Sequence, residues 1–301
     1  MSRILVEVAG RRLSLSNLEK ILYPACGFTK ARVLDYFRRI APHILPHLKD
    51  RALTLKRYPD GVAGNFFYEK RCPSHRPAWV NTAEIPQGEG ERLAFCVINS
   101  LPALIWAANL ASLELHVPQA RAHAPATPDY LVFDLDPGEP AGILECARVA
   151  LILRDLLSRM GLACHVKTSG MKGLHVYVPL NRGETTFSDT KIFSKTVAGV
   201  LQKHHPDLVT ANMGKKERTA KVFINWSQND ASKSMVCVYS LRARESPLVS
   251  CPLAWDELEK KAGLGDPRAL QVGASDALGR VEKKGDLFRD VLVKRQKLPH
   301  L

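Results

Sequence analysis

The chain has 301 residues, with 43 Lys and Arg against 30 Asp and Glu, a formal net charge of +13 and a hydrophobic fraction of 46%. The length suits one large or two small domains, and the apolar content excludes wholesale disorder. No apolar run approaches the ~18 residues of a membrane-spanning helix, and the basic excess points to nucleic acid or nucleotide before an anionic membrane. The N-terminal MSRILVEVAGRR has no apolar core with a small-residue cleavage site, so no signal peptide is expected. Seven cysteines without a CxxC pair read as reduced, cytosolic thiols filling core space. Cys72 and His75 have the spacing of half a zinc site, with no second pair at a finger-like distance.

Ile4 to Val8 alternates enough for a short strand. Ser16-Asn17 predicts a helix cap before LEKIL, ended by Pro24 and Gly27. Thr29 predicts the cap of a longer helix in which Val33, Phe37, Ile40 and Ile44 form one apolar face. Residues 51–70 read as a hairpin with a turn at PDG, and its consecutive Phe66, Phe67 and Tyr68 alternate faces, so at least one aromatic points outward. Residues 99–115 predict a buried helix and a strand near LELHVP. The loop-rich RAHAPATP, residues 121–128, is the candidate boundary between an N-terminal lobe, 1–125, and a catalytic core, 126–301.

Beyond Asp129 the pattern changes. YLVFDLD, ACHVKTSG, GLHVYVPL, KVFINW and SMVCVYSL read as strands, GILECARVALILRDLLSRM as a helix closed by Gly161, and Ser188-Asp189 as the cap of a second helix. The order β-α-β-β-α-β-β predicts an α+β, two-layer fold: a mixed or antiparallel sheet with helices on one side, akin to an RNA-recognition-motif unit. No GxGxxG or Walker A sequence is present. The tail from about residue 252 is charged and helix-prone.

Three constellations carry chemistry. Asp134 and Asp136 are two apart on a strand, so both carboxylates share a face while Leu131, Phe133 and Leu135 take the other. Carboxylates this close repel unless a cation sits between them, and a divalent ion such as Mg²⁺ serves. Ser169, Gly170, Met171, Lys172, Gly173 and His175 form a turn suited to an anion, in which glycines free backbone N–H groups and Ser and Lys add donors. Arg218, Asn225, Gln228 and Arg242 form a third set, in which Gln228 and Arg242 can reach one anionic site if their strands pair.

FDLD, TSGMKGLHVYVPL, KVFINWSQN and YSLRAR together resemble the polymerase domain of bacterial DNA ligase D, in the archaeo-eukaryotic primase superfamily. SNLEKILYP, TLKRYPDG, FFYEK, WAANLASLELH and TPDYLVFDLDP fit the same family, from about residue 10 to about residue 260. The resemblance implies a primase-type core with a smaller N-terminal lobe. It implies a nucleotidyltransferase that extends DNA 3′ ends in non-homologous end joining, with Ku and a ligase module, from primer-templates and nucleoside triphosphates. It also implies a ribonucleotide preference, two Mn²⁺ or Mg²⁺ ions, and a cytoplasmic, nucleoid location.

Carried over by residue, Asp134, Asp136 and position 225 hold metal. Ser169, Lys172, His175, Arg218 and Arg242 grip the triphosphate; Lys56 and His116 face sugar and phosphates, and Gln228 lies near the same site. Asn17, Lys20 and Lys30 bind a downstream 5′-phosphate, and Phe67 and Tyr68 stack on template bases. The family carries a third Asp where this chain has Asn225, which predicts weaker metal binding and attenuated catalysis. A nucleotide- and DNA-end-binding module with weakened catalysis is the second reading. A metal-dependent nuclease is the third, and the phosphate-binding turn argues against it.

Overall fold

The computed structural model describes residues 3–88 and 90–299. Two compact units emerge, neither continuous in sequence: one comprises the chain through Pro118 with Ser234–Ser250 and Val272–Asp286, the other Gln119–Lys233, Cys251–Gln271 and the chain from Leu287 onward. The 121–128 loop lies within the second unit, closed by a bridge between Ala120 and Pro128.

The second unit is built on a six-stranded sheet. Its strands run in the order Val209–Thr210, Val222–Asn225, Tyr130–Pro137, Leu174–Pro179, His165–Thr168 and Pro252–Leu253. All neighbours are antiparallel except the first pair. Alternation along Tyr130–Pro137 decides the layering. Leu131, Phe133 and Leu135 are wholly buried against Ala147, Ala150 and Leu153 of the helix Ile143–Arg159 and Phe193 and Val197 of the helix Phe187–His204. Burying such side chains contributes about 2 kcal/mol each, so the core side of this strand is strongly specified. Asp134 and Asp136 therefore emerge on the opposite side.

Two glycines let neighbouring chain approach this strand. A Cβ on Gly173 would stand 2.0 Å from the Leu135 carbonyl oxygen, and one on Gly138 would stand 1.9 Å from that of Arg218.

The first unit holds a four-stranded antiparallel sheet, ordered Met235–Val236, Ser112–Val117, Thr54–Arg57 and Phe67–Glu69. The helix Lys30–Leu48 begins where expected, with the Arg32 N–H donating to the Thr29 hydroxyl, and Val33, Phe37, Ile40 and Ile44 are fully buried.

Four local expectations fail. LEKIL is not helical: Asn17 takes a left-handed φ of 55°, the Lys20 N–H closes a turn onto the Asn17 carbonyl, and Ile21–Tyr23 pairs with Phe28–Thr29. The second-unit helix is capped by Thr186, whose hydroxyl and backbone N–H exchange bonds with Asp189, rather than by Ser188-Asp189. SMVCVYSL is not one strand: Tyr239 has a φ of 65°, which separates Met235–Val236, part of the first unit's four-stranded sheet, from a strand that starts at Leu241 and pairs with Pro247–Val249. Finally, Cys72 and Cys96 form a disulfide, brought together by the Cys72 N–H bonding to the Ala94 carbonyl, and Cys26 is exposed; Cys146, Cys164, Cys237 and Cys251 are the buried thiols.

Candidate metal centre and anion-binding cluster

Register places four polar side chains in one row across the second unit's sheet. Asp134 stands opposite Asn225 on one side and His175 on the other, and His175 stands opposite Lys167. Paired positions share a face, so the row needs no further device to assemble. Asn225 Nδ2 donates to Asp134 Oδ2 at 3.2 Å, and His175 Nε2 lies 3.3 Å from Asp134 Oδ1. Lys167 Nζ is 2.8 Å from His175 Nδ1. Asp134, His175 and Lys167 are all buried.

Asp136 stands opposite Phe223, two pairs further along the strand and so on the same face. The Arg218 guanidinium lies 3.8 Å from the centre of the Phe223 ring, which brings a cation to Asp136. Burial pushes the Asp134 carboxyl up to about 7, with the Asp136 charge adding to it, while the bonds from Asn225 and Gln228 and the Lys167 charge pull the other way. Burial also raises Asp136, against the pull of Arg218. A buried carboxylate pair held this high takes up a proton or a cation, and its all-oxygen donor set fits a hard divalent ion. Among the described residues, no group of three or more His, Cys, Asp or Glu side chains is arranged to hold a metal. The site has two carboxylates and, at position 225, an amide whose Oδ1 already accepts from the Ser227 hydroxyl at 2.7 Å.

The turn after Lys167 is partly self-satisfied. The N–H groups of Met171 and Gly173 both donate to Ser169 Oγ, so these two amides are not directed at an external anion as the sequence suggested. Lys172 is exposed and paired with Glu139 at 2.7 Å.

The first unit carries its own cluster, centred on Glu114, a residue the sequence reading passed over. Its carboxylate is 1% exposed. Oε1 accepts from the Tyr58 hydroxyl at 2.9 Å and the Ala243 N–H at 3.2 Å, with Lys56 Nζ at 3.7 Å. His116 Nε2 and Arg242 Nη1 lie 3.0 and 3.3 Å from Oε2. Burial pushes the Glu114 carboxyl up, but the His116 bond and the charges of Arg242, His116 and Lys56 outweigh it and hold it at about 2. Burial lowers His116, against the opposing pull of Glu114. Lys56 also sits 4.1 Å from the Phe66 ring centre and 5.3 Å from those of Tyr58 and Tyr68.

Lys56, His116 and Arg242 therefore come together. Phe66, Phe67 and Tyr68 are all exposed, at 51%, 43% and 55%, where the sequence guaranteed only one. Lys30 is buried with Nζ bonded to the Ser16 carbonyl at 2.7 Å, and burial with the nearby Lys20 and Arg57 charges lowers it to about 8. Lys20 is at the surface, paired with Asp60, and Asn17 turns the chain just before it.

The family model for the LigD primase-polymerase domain matches residues 29–288. The multifunctional non-homologous end joining protein LigD of Mycolicibacterium smegmatis is 40% identical over 281 residues, 92% of this chain and 36% of that protein. The bifunctional LigD of Bacillus subtilis is 30% identical over 93% of this chain and 44% of its own length. The chain thus spans well under half of these relatives. A solved structure, the polymerase domain of Mycobacterium tuberculosis ligase D in complex with DNA, matches with a TM-score of 0.86 and 37% identity, over 95% of this chain and 99% of that one.

Proposed function

This chain belongs to the LigD primase-polymerase family, and from that premise we propose that it is a divalent-metal-dependent nucleotidyltransferase. Its reaction adds nucleotides to DNA 3′ ends during double-strand break repair by non-homologous end joining. The observation that carries the reading is the row Asn225, Asp134, His175 and Lys167, with Asp136 beside it on the same face.

Asp134 and Asp136 would hold Mn²⁺ or Mg²⁺, two ions by family resemblance, which when bound favour ionisation of a 3′-hydroxyl and offset charge on departing pyrophosphate. His175, held between Asp134 and Lys167, presents its ring at the carboxylate edge. Ser169, Lys172, Arg218 and Gln228 orient a triphosphate, and the positive charge of Lys172 and Arg218 acts where phosphoryl transfer accumulates negative charge. Lys56, His116 and Arg242 take the nucleotide's sugar and phosphates. Asn17, Lys20 and Lys30 take a 5′-phosphate, and Phe67 and Tyr68 stack on template bases. The substrate class is a nucleoside triphosphate, ribonucleotides preferred, on a primer-template. Ku and a ligase module are the partners, and the cytoplasm, at the nucleoid, is the compartment.

Asn225 favours a second reading, a nucleotide- and DNA-end-binding module with attenuated catalysis, since the site has only two carboxylates. Incubation with a 5′-phosphorylated primer-template, each nucleotide in turn, and Mn²⁺ or Mg²⁺ separates the readings. Extension lost in Asp134→Ala supports the transferase, binding without extension supports the module, and primer shortening overturns both.

A further inference from the structure

We propose that Glu114 is a positioning residue, a buried carboxylate that fixes Lys56, His116 and Arg242 as one anion-binding cluster and holds the His116 proton on Nε2. That the cluster binds a nucleotide rests on the reading above; the tautomer and spacing arguments do not.

Three separate segments of the first unit converge on this carboxylate. Lys56 comes from the strand Thr54–Arg57, His116 from Ser112–Val117 and Arg242 from Leu241–Ala243. Without an anion among them, the Lys56 and Arg242 charges would repel and their side chains would swing apart. Glu114 meets both, with Lys56 Nζ at 3.7 Å and Arg242 Nη1 at 3.3 Å. A single carboxylate against two permanent cations leaves the cluster net positive, so it still attracts an anion. Arg242 Nε is buried without a hydrogen-bond partner, a donor left for a ligand to satisfy.

The tautomer follows from the acceptor-only character of a carboxylate. Glu114 Oε2 is 3.0 Å from His116 Nε2, so that nitrogen must carry the hydrogen. In a neutral ring the other nitrogen is then an acceptor, and His116 Nδ1 meets its ligand with a lone pair. The sequence offers a signal in retrospect: Glu114 and His116 are two apart in SLELHV, a strand otherwise too apolar to carry charge without a partner.

The test uses the whole chain labelled with ¹⁵N-histidine. In the wild type, the His116 ring nitrogens should show the Nε2–H tautomer; an Nδ1–H tautomer overturns the proposal, whatever any variant does. Glu114→Gln keeps the shape and removes the charge. It should let the tautomers exchange and weaken ATP binding, read by calorimetry, by about tenfold, the scale of a hydrogen bond to a charged group. It should raise KM for the nucleotide by a similar factor and move kcat by far less. An unchanged tautomer together with an unchanged ATP Kd overturns the role of Glu114. Wild-type protein that binds no ATP overturns the nucleotide reading instead, and the wild-type tautomer then decides the proposal by itself.

Discussion

Asn225 lies directly across the sheet from Asp134, and its amide nitrogen donates to the Asp134 carboxylate at 3.2 Å while its oxygen accepts from Ser227. The amide therefore quiets a buried carboxylate by hydrogen bonding where a third carboxylate would add charge for a metal. Asn225→Asp should raise nucleotidyl transfer by roughly tenfold or more at limiting Mg²⁺, the scale on which groups around a metal tune its affinity. It should also lower the metal-free melting temperature, because three carboxylates repel. Primer extension over a full Mg²⁺ and Mn²⁺ titration reads the first effect. An unchanged rate throughout would mean that position 225 does not limit metal binding.

Asp134 also makes stability depend on pH. Its carboxyl is pushed up to about 7 in the folded protein, from an unfolded value near 3.8. Between those values the folded chain keeps a proton that the unfolded chain has released. The stabilisation is therefore complete below about pH 4 and is lost as pH rises toward 7, each pKa unit being worth about 1.4 kcal/mol. In EDTA, the urea midpoint should fall between pH 4.5 and 7.5 more steeply in the wild type than in Asp134→Asn. Saturating Mn²⁺ should reduce the fall, since the cation replaces the proton. Equal slopes in wild type and variant would remove Asp134 as the source.

The helix Lys30–Leu48 was legible because it has one buried face, which periodicity records directly, and the strand Tyr130–Pro137 because its run of β-branched, aromatic and apolar residues is buried almost throughout. The paired carboxylates followed from period two on that strand. Residues 17–20 were misread because a cap-like Ser-Asn is equally a turn. What decided it was long-range bonding, the Lys30 N–H to the Lys20 carbonyl and the Ala31 N–H to the Leu18 carbonyl. Glu114 and Lys167 were missed for a related reason. Each is one charge on a strand, and its meaning lies in partners on neighbouring strands. The Cys72–Cys96 disulfide is likewise invisible in spacing, since the Asn81–Pro86 and Arg92–Val97 hairpin returns the chain between them.

Gly173 backs the strand that carries both carboxylates. A methyl group there would stand 2.0 Å from the Leu135 carbonyl oxygen and 3.3 Å from Pro137 Cδ, and neither backbone nor ring can yield cheaply. Gly173→Ala should cost roughly 3 kcal/mol, by overpacking, and reduce primer extension because Asp134 and Asp136 flank the displaced residue. Gly199→Ala is the control: it lies inside the helix Phe187–His204 with nothing within 4 Å of its added carbon, and it should gain about 0.5–1 kcal/mol. Thermal unfolding of the two variants reads the contrast, and a wild-type melting temperature in Gly173→Ala would refute the close approach.

The exposed aromatics and the surface lysine of the first unit should differ in how they bind DNA. Phe67 and Tyr68 are neighbours on one short strand, exposed at 43% and 55%, so their rings leave apolar surface open to a base. Stacking on a base is worth about 1–3 kcal/mol and is blind to salt. Lys20 instead holds a cation at the surface, paired with the exposed Asp60 at 2.9 Å, an ion pair weak enough to be exchanged for a phosphate. Phe67→Ala and Tyr68→Ala should therefore weaken binding of a 5′-phosphorylated primer-template by that stacking energy while leaving the slope of log K against log salt unchanged. Lys20→Ala should lower the slope by about one phosphate contact, and its loss of affinity should vanish when the 5′-phosphate is omitted. Fluorescence anisotropy at four salt concentrations, with and without the 5′-phosphate, measures both. If removing the aromatics changes the slope, or removing Lys20 weakens both DNAs equally, stacking and end recognition are assigned to the wrong side chains.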